Sequence, residues 1–281
     1  MNNILGAVIG DMTGSIYEFN HFDWEYFYTE DFKLLEDKCF PTDDSIMTIA
    51  IMKAIVEYDK NPSSDLGALT VKYMQELGRR FDTEHELGFG GRFETWIYSD
   101  KPEPYGSYGN GSAMRVSAAG WYGRTEEEVK TLAKAVTEVT HNHEEGLKGA
   151  EATAMCIFLA RTGLSKDEIK QYIIDHYYDL TKYDLQDLRE NYTFNESCQK
   201  TVPEAIYCFL NSEDFKDALI KGLSIGGDSD TLCAIMCSIA EAFYGSPEDL
   251  NTRALEKLDP YMQNIVKEFT EICNNRNKTE D

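Results

Sequence analysis

Positive charge is scarce in this sequence. Its 281 residues include 27 Lys and Arg against 50 Asp and Glu, which gives a formal net charge of −23 at pH 7. A field of that sign repels phosphate backbones and anionic membranes, which argues against nucleic acid and membrane surfaces as partners. An anionic small molecule would need basic side chains or backbone N–H groups at its own site.

Long apolar runs and paired cysteines are also missing. No segment approaches the roughly 20 apolar residues of a membrane span. The first apolar stretch is preceded by no basic region and is interrupted by Asp11, so we expect no signal peptide. The seven cysteines are odd in number and form no Cys-x-x-Cys pair, which is typical of reduced, buried thiols. These absences predict a cytoplasmic protein.

Helical periodicity dominates what is present. Apolar residues recur at three- and four-residue spacing, and no sustained two-residue alternation occurs, so the predicted fold class is all-α. No linker or internal repeat divides the chain, and we expect one compact domain over residues 1–273 with a frayed polar tail at 274–281. Residues 19–41 and 182–199 are predicted to be long loops. The predicted helices cover residues 45–58, 66–81, 126–139, 146–159, 166–177, 203–210, 231–243 and 253–273.

The first acidic cluster is Thr42-Asp43-Asp44, directly before a predicted helix. One reading is an N-cap, in which a hydroxyl or carboxylate accepts a hydrogen bond from the first helical turn. A cap explains one of these residues and leaves two adjacent acids without a role. The alternative is a set of metal ligands.

The second acidic cluster is Asp228-Ser229-Asp230-Thr231, which follows two glycines and also precedes a helix. The glycines allow a tight backbone that brings both carboxylates to one point. Carboxylate and hydroxyl oxygens are hard ligands that suit Mg²⁺, Mn²⁺ or Ca²⁺ rather than zinc. A cation at a helix N-terminus opposes the helix dipole and needs carboxylates from several segments. Two such segments favour a metal site over two capped helices.

The third segment, residues 105–115 (YGSYGNGSAMR), has three glycines within six residues. Such backbone can turn its N–H groups toward an anion, as phosphate-binding loops do, although a simple turn before a helix fits equally well. Tyr105 and Tyr108 could stack on a flat ring. Farther on, His141 and His143 either ligate a transition metal or join two helices, and we favour the junction with one histidine facing the site.

These segments, in this order, resemble the ADP-ribosylglycohydrolases, the family that includes the dinitrogenase-reductase-activating glycohydrolase and the vertebrate ADP-ribosyl-acceptor hydrolases. The matching pieces span nearly the whole chain. They are residues 6–14 (GAVIGDMTG), 41–45 (PTDDS), 106–115 (GSYGNGSAMR), 140–141 (TH) and 226–231 (GGDSDT).

The resemblance implies a compact, orthogonal all-α domain around two Mg²⁺ or Mn²⁺ ions, with an ADP-ribosylated protein or small conjugate as substrate. Glu18 resembles the mobile glutamate of serine-linkage hydrolases, and residues 19–41 would be a lid. The implied metal ligands are Thr42, Asp43, Asp44, Asp228, Asp230 and Thr231. The implied ADP-ribose contacts are Gly106, Ser107, Tyr108, Gly109, Asn110, Gly111 and His141.

The implied reaction cleaves the bond between the anomeric carbon of ribose and an acceptor, through a transition state that resembles an oxocarbenium ion. The catalytic candidates that would handle the proton are Glu18, Asp43 and Asp44. The sequence departs from the family where an aromatic residue precedes the glycine-rich segment: Pro102 stands there, and Tyr105 is the substitute. Two alternatives remain, a binuclear hydrolase of another nucleotide conjugate and a non-catalytic ADP-ribose binder.

Overall fold

Helices build all of the regular structure in residues 2–19, 23–82 and 88–277, the part of the chain that the computed structural model describes. No β-strand occurs in these ranges, only an isolated bridge between Gly109 and Ser197. The all-α prediction is confirmed. The helices are α1 (Gly6–Gly14), α2 (Asp43–Lys60), α3 (Leu66–Phe81), α4 (Gly91–Tyr98), α5 (Gly111–Met114), α6 (Ser117–Tyr122), α7 (Glu126–Thr137), α8 (Glu144–Arg161), α9 (Lys166–His176), α10 (Leu185–Asn191), α11 (Val202–Leu210), α12 (Phe215–Ile225), α13 (Ser229–Tyr244), α14 (Glu248–Lys257) and α15 (Pro260–Asn277), with 3₁₀ helices at Trp24–Tyr28 and Cys198–Lys200.

The periodic segments all form helices, and residues 253–273 contribute to two of them, α14 and α15. Most of the helices that the periodicity did not predict are short or rich in glycine, the residue with the lowest helix propensity after proline. Helix α12 is the exception, with 11 residues and one glycine. None of the described helices has both the length and the apolar character that crossing a membrane requires.

Three segment predictions need correction. Residues 182–199 are not a continuous loop, because Asp184 caps α10 by accepting from the backbone N–H groups of Gln186 and Asp187. Residues 19–41 contain the 3₁₀ helix Trp24–Tyr28, and residues 20–22 lie outside the described ranges. Residues 274–277 are the last turn of α15 rather than a frayed tail. Residues 278–281 of that predicted tail lie outside the described ranges.

Helix α13 runs through the core and is buried at every residue from Ser229 to Glu241. Helix α1 lies against it with almost no side chain between the two backbones. A Cβ atom added to Gly10 would come 2.1 Å from the carbonyl oxygen of Cys233, and one added to Gly14 would come 2.5 Å from the Cα of Asp230. The contact therefore requires glycine on this face of α1, and it places α1 directly beside the N-terminal end of α13.

The other end of α1 is held by a buried carboxylate on α13. Glu241 accepts hydrogen bonds from the backbone N–H groups of Leu5 (3.0 Å) and Gly6 (2.7 Å). Burial raises the pKa of Glu241 to about 7. Two of the four free donors at the start of the helix are thereby satisfied, and α1 is held against α13 at both ends.

Candidate active site

Asp11, in the middle of α1, is fully buried and organises the first acidic cluster. Its Oδ1 accepts from the Thr42 hydroxyl at 2.6 Å, and its Oδ2 accepts from the backbone N–H groups of Thr42 (3.0 Å) and Ser45 (3.1 Å) and from the Ser45 hydroxyl. The start of α2 is thus bound to α1. Sequence analysis did not select Asp11 as a site residue; the available signal was a charged residue within an apolar run, since buried charges are paired or bind metals.

The helix-cap alternative accounts for only one residue of the two acidic clusters. Thr42 is the N-cap of α2, where its hydroxyl accepts from the backbone N–H of Asp44 at 3.2 Å. Asp228 stands at the N-cap position of α13 but makes no capping bond. Its Oδ2 accepts instead from the Asn110 side-chain amide at 2.7 Å. The carboxylates of Asp43, Asp44 and Asp228 are therefore not explained by capping.

Five acidic side chains form two groups that share one member. Carboxylate oxygens of Asp11, Asp44 and Asp230 all lie within 4.8 Å of one another, and so do those of Glu18, Asp228 and Asp230. Asp230 belongs to both groups. The positive backbone angles of Gly226 (φ 70°) and Gly227 (φ 80°) allow the tight approach to α13 that was predicted, which places Asp228 and Asp230 together.

Electrostatic repulsion within these groups is strong. Burial and the neighbouring Asp230 raise the pKa of Asp11 to about 7 and that of Glu18 to about 8, and burial raises the pKa of Asp43, Asp44 and Asp228 well above the usual carboxyl range. No Lys or Arg of the described ranges forms an ion pair with any of them. The buried Oδ1 of Asp44 has no hydrogen-bond partner. An all-oxygen donor set with an unpaired buried atom fits hard divalent cations, so the residues present suit Mg²⁺ or Mn²⁺.

A cavity of about 330 Å³ opens from the acidic groups. Two of the residues that line it, Arg92 and Arg115, carry a positive charge. A chain with a strongly negative net charge needs such cations, or backbone N–H groups, where it binds an anionic ligand. The residues that line it are Glu18, Asp43, Asp44, Gly88, Gly90, Gly91, Arg92, Phe93, Tyr105, Ser107, Gly109, Asn110, Gly111, Met114, Arg115, His141, Phe194, Glu196, Asp228, Asp230 and Thr231.

The glycine-rich segment contributes one wall of this cavity. Within residues 106–111, three backbone N–H groups already donate within the fold: Gly106 to Asn142 Oδ1 (2.7 Å), Gly109 to Ser107 Oγ (3.2 Å) and Asn110 to the Glu196 carbonyl (2.7 Å). Among the described residues no acceptor pairs with the N–H groups of Ser107 and Gly111, both of which line the cavity. The predicted anion-binding backbone is therefore reduced to these two positions.

His141 is buried, lines the cavity and has a defined tautomer. Its Nδ1 lies 2.7 Å from the Thr140 hydroxyl and 3.4 Å from Arg115 Nη2. Because a guanidinium only donates, Nδ1 must accept, and the single ring proton of the neutral imidazole is on Nε2. Arg115 also donates to Thr140 Oγ1 at 2.6 Å, which turns the Thr140 proton toward His141. Burial and Arg115 hold the pKa of His141 well below its usual value, so the imidazole stays neutral.

Arg115 is among the largest fully buried side chains of the protein, 1% exposed. Its guanidinium lies 5.5 Å from the centre of the Phe93 ring, and its Nε has no hydrogen-bond partner. Burial lowers its pKa to about 10, so it remains charged at neutral pH. A buried, charged donor group without a carboxylate partner beside the cavity is suited to an anion.

Several predicted site residues lie outside the cavity wall. Gly106 and Tyr108 do not line it, and Tyr108 packs instead on His143, with ring centres 5.3 Å apart. His143 is the N-cap of α8, where Nδ1 accepts from the Glu145 N–H at 3.1 Å, so the helix-junction prediction holds for it. Thr42 does not line the cavity, whereas Thr231 does and donates to Asp44 Oδ2 at 3.0 Å.

Residues 222–226 have the spacing Gly-x-Ser-x-Gly of a nucleophilic serine. Ser224, however, lies in the last turn of α12, donates to the Lys221 carbonyl at 2.8 Å and accepts from Arg189 Nε at 3.0 Å. A nucleophile of this type needs an exposed strand-to-helix turn and a neighbouring histidine. Ser224 lies within a helix instead of such a turn, and no histidine of residues 2–19, 23–82 and 88–277 forms a hydrogen bond with it.

An all-α fold that brings two linked carboxylate groups beside a glycine-rich wall is the arrangement that the sequence motifs predicted for a helical hydrolase. The chain belongs to one family of this class, the ADP-ribosylglycohydrolases, whose family model matches residues 2–279. The resemblance inferred from the sequence motifs is thereby confirmed.

Curated relatives extend over most of the chain. ADP-ribosylhydrolase ARH3 of Mus musculus is 23% identical over 95% of this chain and 91% of its own length, and the Homo sapiens protein of that name is 25% identical over 86% and 84%. ADP-ribosylarginine hydrolase Tri1 of Pseudomonas putida (strain GB-1) is 24% identical over 86% and 69%. A solved structure described as an ADP-ribosylglycohydrolase-related protein complex has a TM-score of 0.68, 19% identity and 96% coverage of both chains, which shows the fold.

Proposed function

We propose that this protein is a metal-dependent ADP-ribosyl hydrolase that removes ADP-ribose from a modified acceptor, either a protein side chain or a small conjugate, and releases free ADP-ribose. The observation that carries the proposal is the meeting of two carboxylate groups at Asp230, at one end of a cavity whose other walls include Ser107, Gly111 and His141. Membership of the family supplies the substrate class.

The carboxylates would hold two ions. Asp11, Asp44 and Asp230 would hold one ion, and Asp228 and Asp230 would hold the other beside Glu18. Two bound Mg²⁺ or Mn²⁺ ions would supply Lewis acidity and lower the pKa of water at the centre. To the ligands predicted from the sequence we thus add Asp11, and we assign Asp43 and Glu18 to proton transfer instead. Thr42 acts through Asp11, with which it shares a hydrogen bond.

The diphosphate and ribose would be held by donors. The N–H groups of Ser107 and Gly111 and the guanidinium of Arg115 are suited to phosphate oxygens. His141 Nε2 lies against Gly109 and Gly111, since Cβ atoms added there would be 3.5 and 3.6 Å from it. Its proton would go to a phosphate or ribose oxygen. Tyr105, under the guanidinium of Arg92 (4.7 Å from the ring centre), offers a flat surface for adenine.

Two acids are placed to move protons. Asp43 is half-buried, lines the cavity and belongs to neither carboxylate group, so it can accept a proton from the attacking water. Glu18 is half-buried at the cavity edge and can donate to the departing acceptor oxygen or nitrogen. Asp44, fully enclosed and bonded to Thr231, is better suited to ligation.

The test is a hydrolysis panel of serine-, arginine- and acyl-linked ADP-ribose with Mg²⁺, with Mn²⁺ and after chelation and desalting. We expect free ADP-ribose as the product, no turnover without metal and loss of turnover in Asp230→Asn. Glu127→Gln removes an exposed charge from the start of α7 and should behave as wild type. Released phosphate would favour a phosphoester hydrolase, and binding of ADP-ribose without turnover on any linkage would favour a non-catalytic binder.

A further inference from the structure

A second cavity, of about 630 Å³, adjoins the candidate active site. Glu18 and Phe194 belong to the walls of both cavities, so the two spaces meet at the acid placed beside the scissile bond. On the other side of Glu18, the lining of the second cavity includes Tyr17, Phe19, Trp24, Phe27, Arg189 and Glu190. Its volume suits a group of several non-hydrogen atoms.

Exposed aromatic rings cluster around this cavity. Phe19 is 79% exposed, Tyr28 48% and Phe194 44%. The rings of Phe19 and Phe194 stack with their centres 6.0 Å apart and an interplanar angle of 27°. Soluble proteins rarely leave contiguous apolar surface uncovered unless it binds something. The cluster therefore points to a ligand with flat or large apolar groups.

One cation stands among these rings. The guanidinium of Arg189 lies 4.4 Å from the centre of the Trp24 ring, its Nε donates to Ser224 Oγ at 3.0 Å, and it also donates to the Tyr28 hydroxyl. Within the described ranges Arg189 forms no ion pair with a carboxylate. Glu18 and Glu190 also line the cavity, but neither forms an ion pair with Arg189 in the described ranges. The guanidinium can therefore pair with an anionic group on a ligand.

We propose that the second cavity binds the acceptor side of the substrate, and that the acceptor is a polypeptide with an aromatic or large apolar side chain and an acidic side chain next to the modified residue. The inference rests on the proposed function. Hydrolysis at the anomeric carbon requires space for ADP-ribose on one side of the bond and for the leaving group on the other. With the nucleotide-binding groups in the first cavity, the space beyond Glu18 is left for the acceptor.

A polynucleotide acceptor fits less well. One acidic side chain can pair with Arg189, whereas a phosphate backbone would meet the strongly negative surface of the whole chain. Trp24 and the stacked phenylalanines then supply contact area for the side chain next to the modified residue, and Arg189 favours an acidic side chain there. Trp24 and Arg189 lie outside the wall of the first cavity, so they affect the choice of acceptor without touching the nucleotide.

The experiment compares ADP-ribosylated peptides that differ only beside the modified residue: aromatic plus acidic, aromatic plus neutral, and glycine-serine. Wild type should cleave the first with a kcat/KM about tenfold above the last, the factor given by about 1.4 kcal/mol of added binding. Trp24→Ala should remove most of this preference through KM. Arg189→Gln should lose only the part due to the acidic residue, and Arg189→Lys should regain some of it. Lys134→Gln, an exposed cation on α7, is the matched control.

A single ADP-ribosylated amino acid serves as the substrate that reports the proposed function alone, and its hydrolysis should be unchanged in Trp24→Ala and Arg189→Gln. If wild type fails on every conjugate, the proposed function is wrong, and calorimetric titration with the unmodified aromatic-acidic peptide still tests the cavity. Equal kcat/KM for the three peptides, with no peptide binding by calorimetry, would overturn the inference. So would faster cleavage from a single-stranded DNA end that depends on Arg189.

Discussion

The shared position of Asp230 leads to a prediction about ion stoichiometry. Asp44 belongs to one carboxylate group, Asp228 to the other, and Asp230 to both. The Asn variants keep an oxygen for the hydrogen bonds from Thr231 and Asn110 but lose the charge that a cation needs. We therefore expect Asp44→Asn and Asp228→Asn each to bind one Mn²⁺ and Asp230→Asn to bind none.

The size of the effect follows from mass action. An ion present at about a hundred times its dissociation constant stabilises the folded state by about 2.7 kcal/mol. With an unfolding entropy of about 2.1 cal/mol/K per residue, a chain of 281 residues has about 0.6 kcal/mol/K. Each ion should then raise Tm by about 4–5 °C, and two ions by about 9 °C.

The assay is a thermal unfolding series with and without Mn²⁺, paired with calorimetric stoichiometry. Wild type and Glu127→Gln should show the full rise, Asp44→Asn and Asp228→Asn about half of it, and Asp230→Asn none. If Asp230→Asn still bound one ion, or if both single-group variants kept two, the assignment of Asp230 as the common ligand would be refuted.

Three further predictions follow from the same contacts. Thr140→Val should remove the 2.7 Å hydrogen bond to His141 Nδ1 and leave only the longer one from Arg115, a change visible in ¹⁵N NMR of the ring. We expect kcat/KM to fall by about tenfold, as for a lost buried hydrogen bond of about 1–3 kcal/mol, with the Mn²⁺ shift in Tm unchanged. The protein without metal, prepared by chelation, should become less stable as pH rises from about 5 to 8. The pKa values of Asp11 (about 7) and Glu18 (about 8) lie above their unfolded values, so the folded state holds protons that the unfolded state releases. A free energy of unfolding that rises over this range in urea titrations would contradict the burial of these acids. Gly10→Ala should cost about 1–3 kcal/mol by overpacking, measured by urea unfolding, while Gly90→Ala, where an added Cβ meets nothing within 4 Å, should cost little.

Much of the fold could be predicted because long amphipathic or apolar helices dominate it. Helix α1 could not, because its three glycines weaken helix propensity, and only the close contact with α13 shows why they are needed. The short helices α5 and α6 hold too few residues to display a period. Their positions depend on packing between segments that are distant in sequence.

The candidate site was predictable at its acidic clusters and glycine-rich segment, where unusual residues occur together. Its supporting residues were not. Asp11 acts through hydrogen bonds to residues 31 and 34 positions away, and Arg115 through Thr140, 25 positions away. Nothing local distinguishes a tyrosine that lines a cavity, such as Tyr105, from Tyr108, which packs on a capping histidine. These differences arise from tertiary contacts alone.

The glycine face of α1 has a consequence for which ion the centre accepts. Because Gly14 touches the backbone of Asp230, the separation of α1 and α13 at the carboxylates is set by main chain, which cannot adjust as side chains do. Mg²⁺ binds oxygen at about 2.0–2.1 Å and Ca²⁺ at about 2.3–2.6 Å, a difference of a few tenths of an ångström. A helix pair that cannot spread should therefore disfavour the larger ion at the proposed metal centre, because backbone packing limits how far its carboxylates can separate.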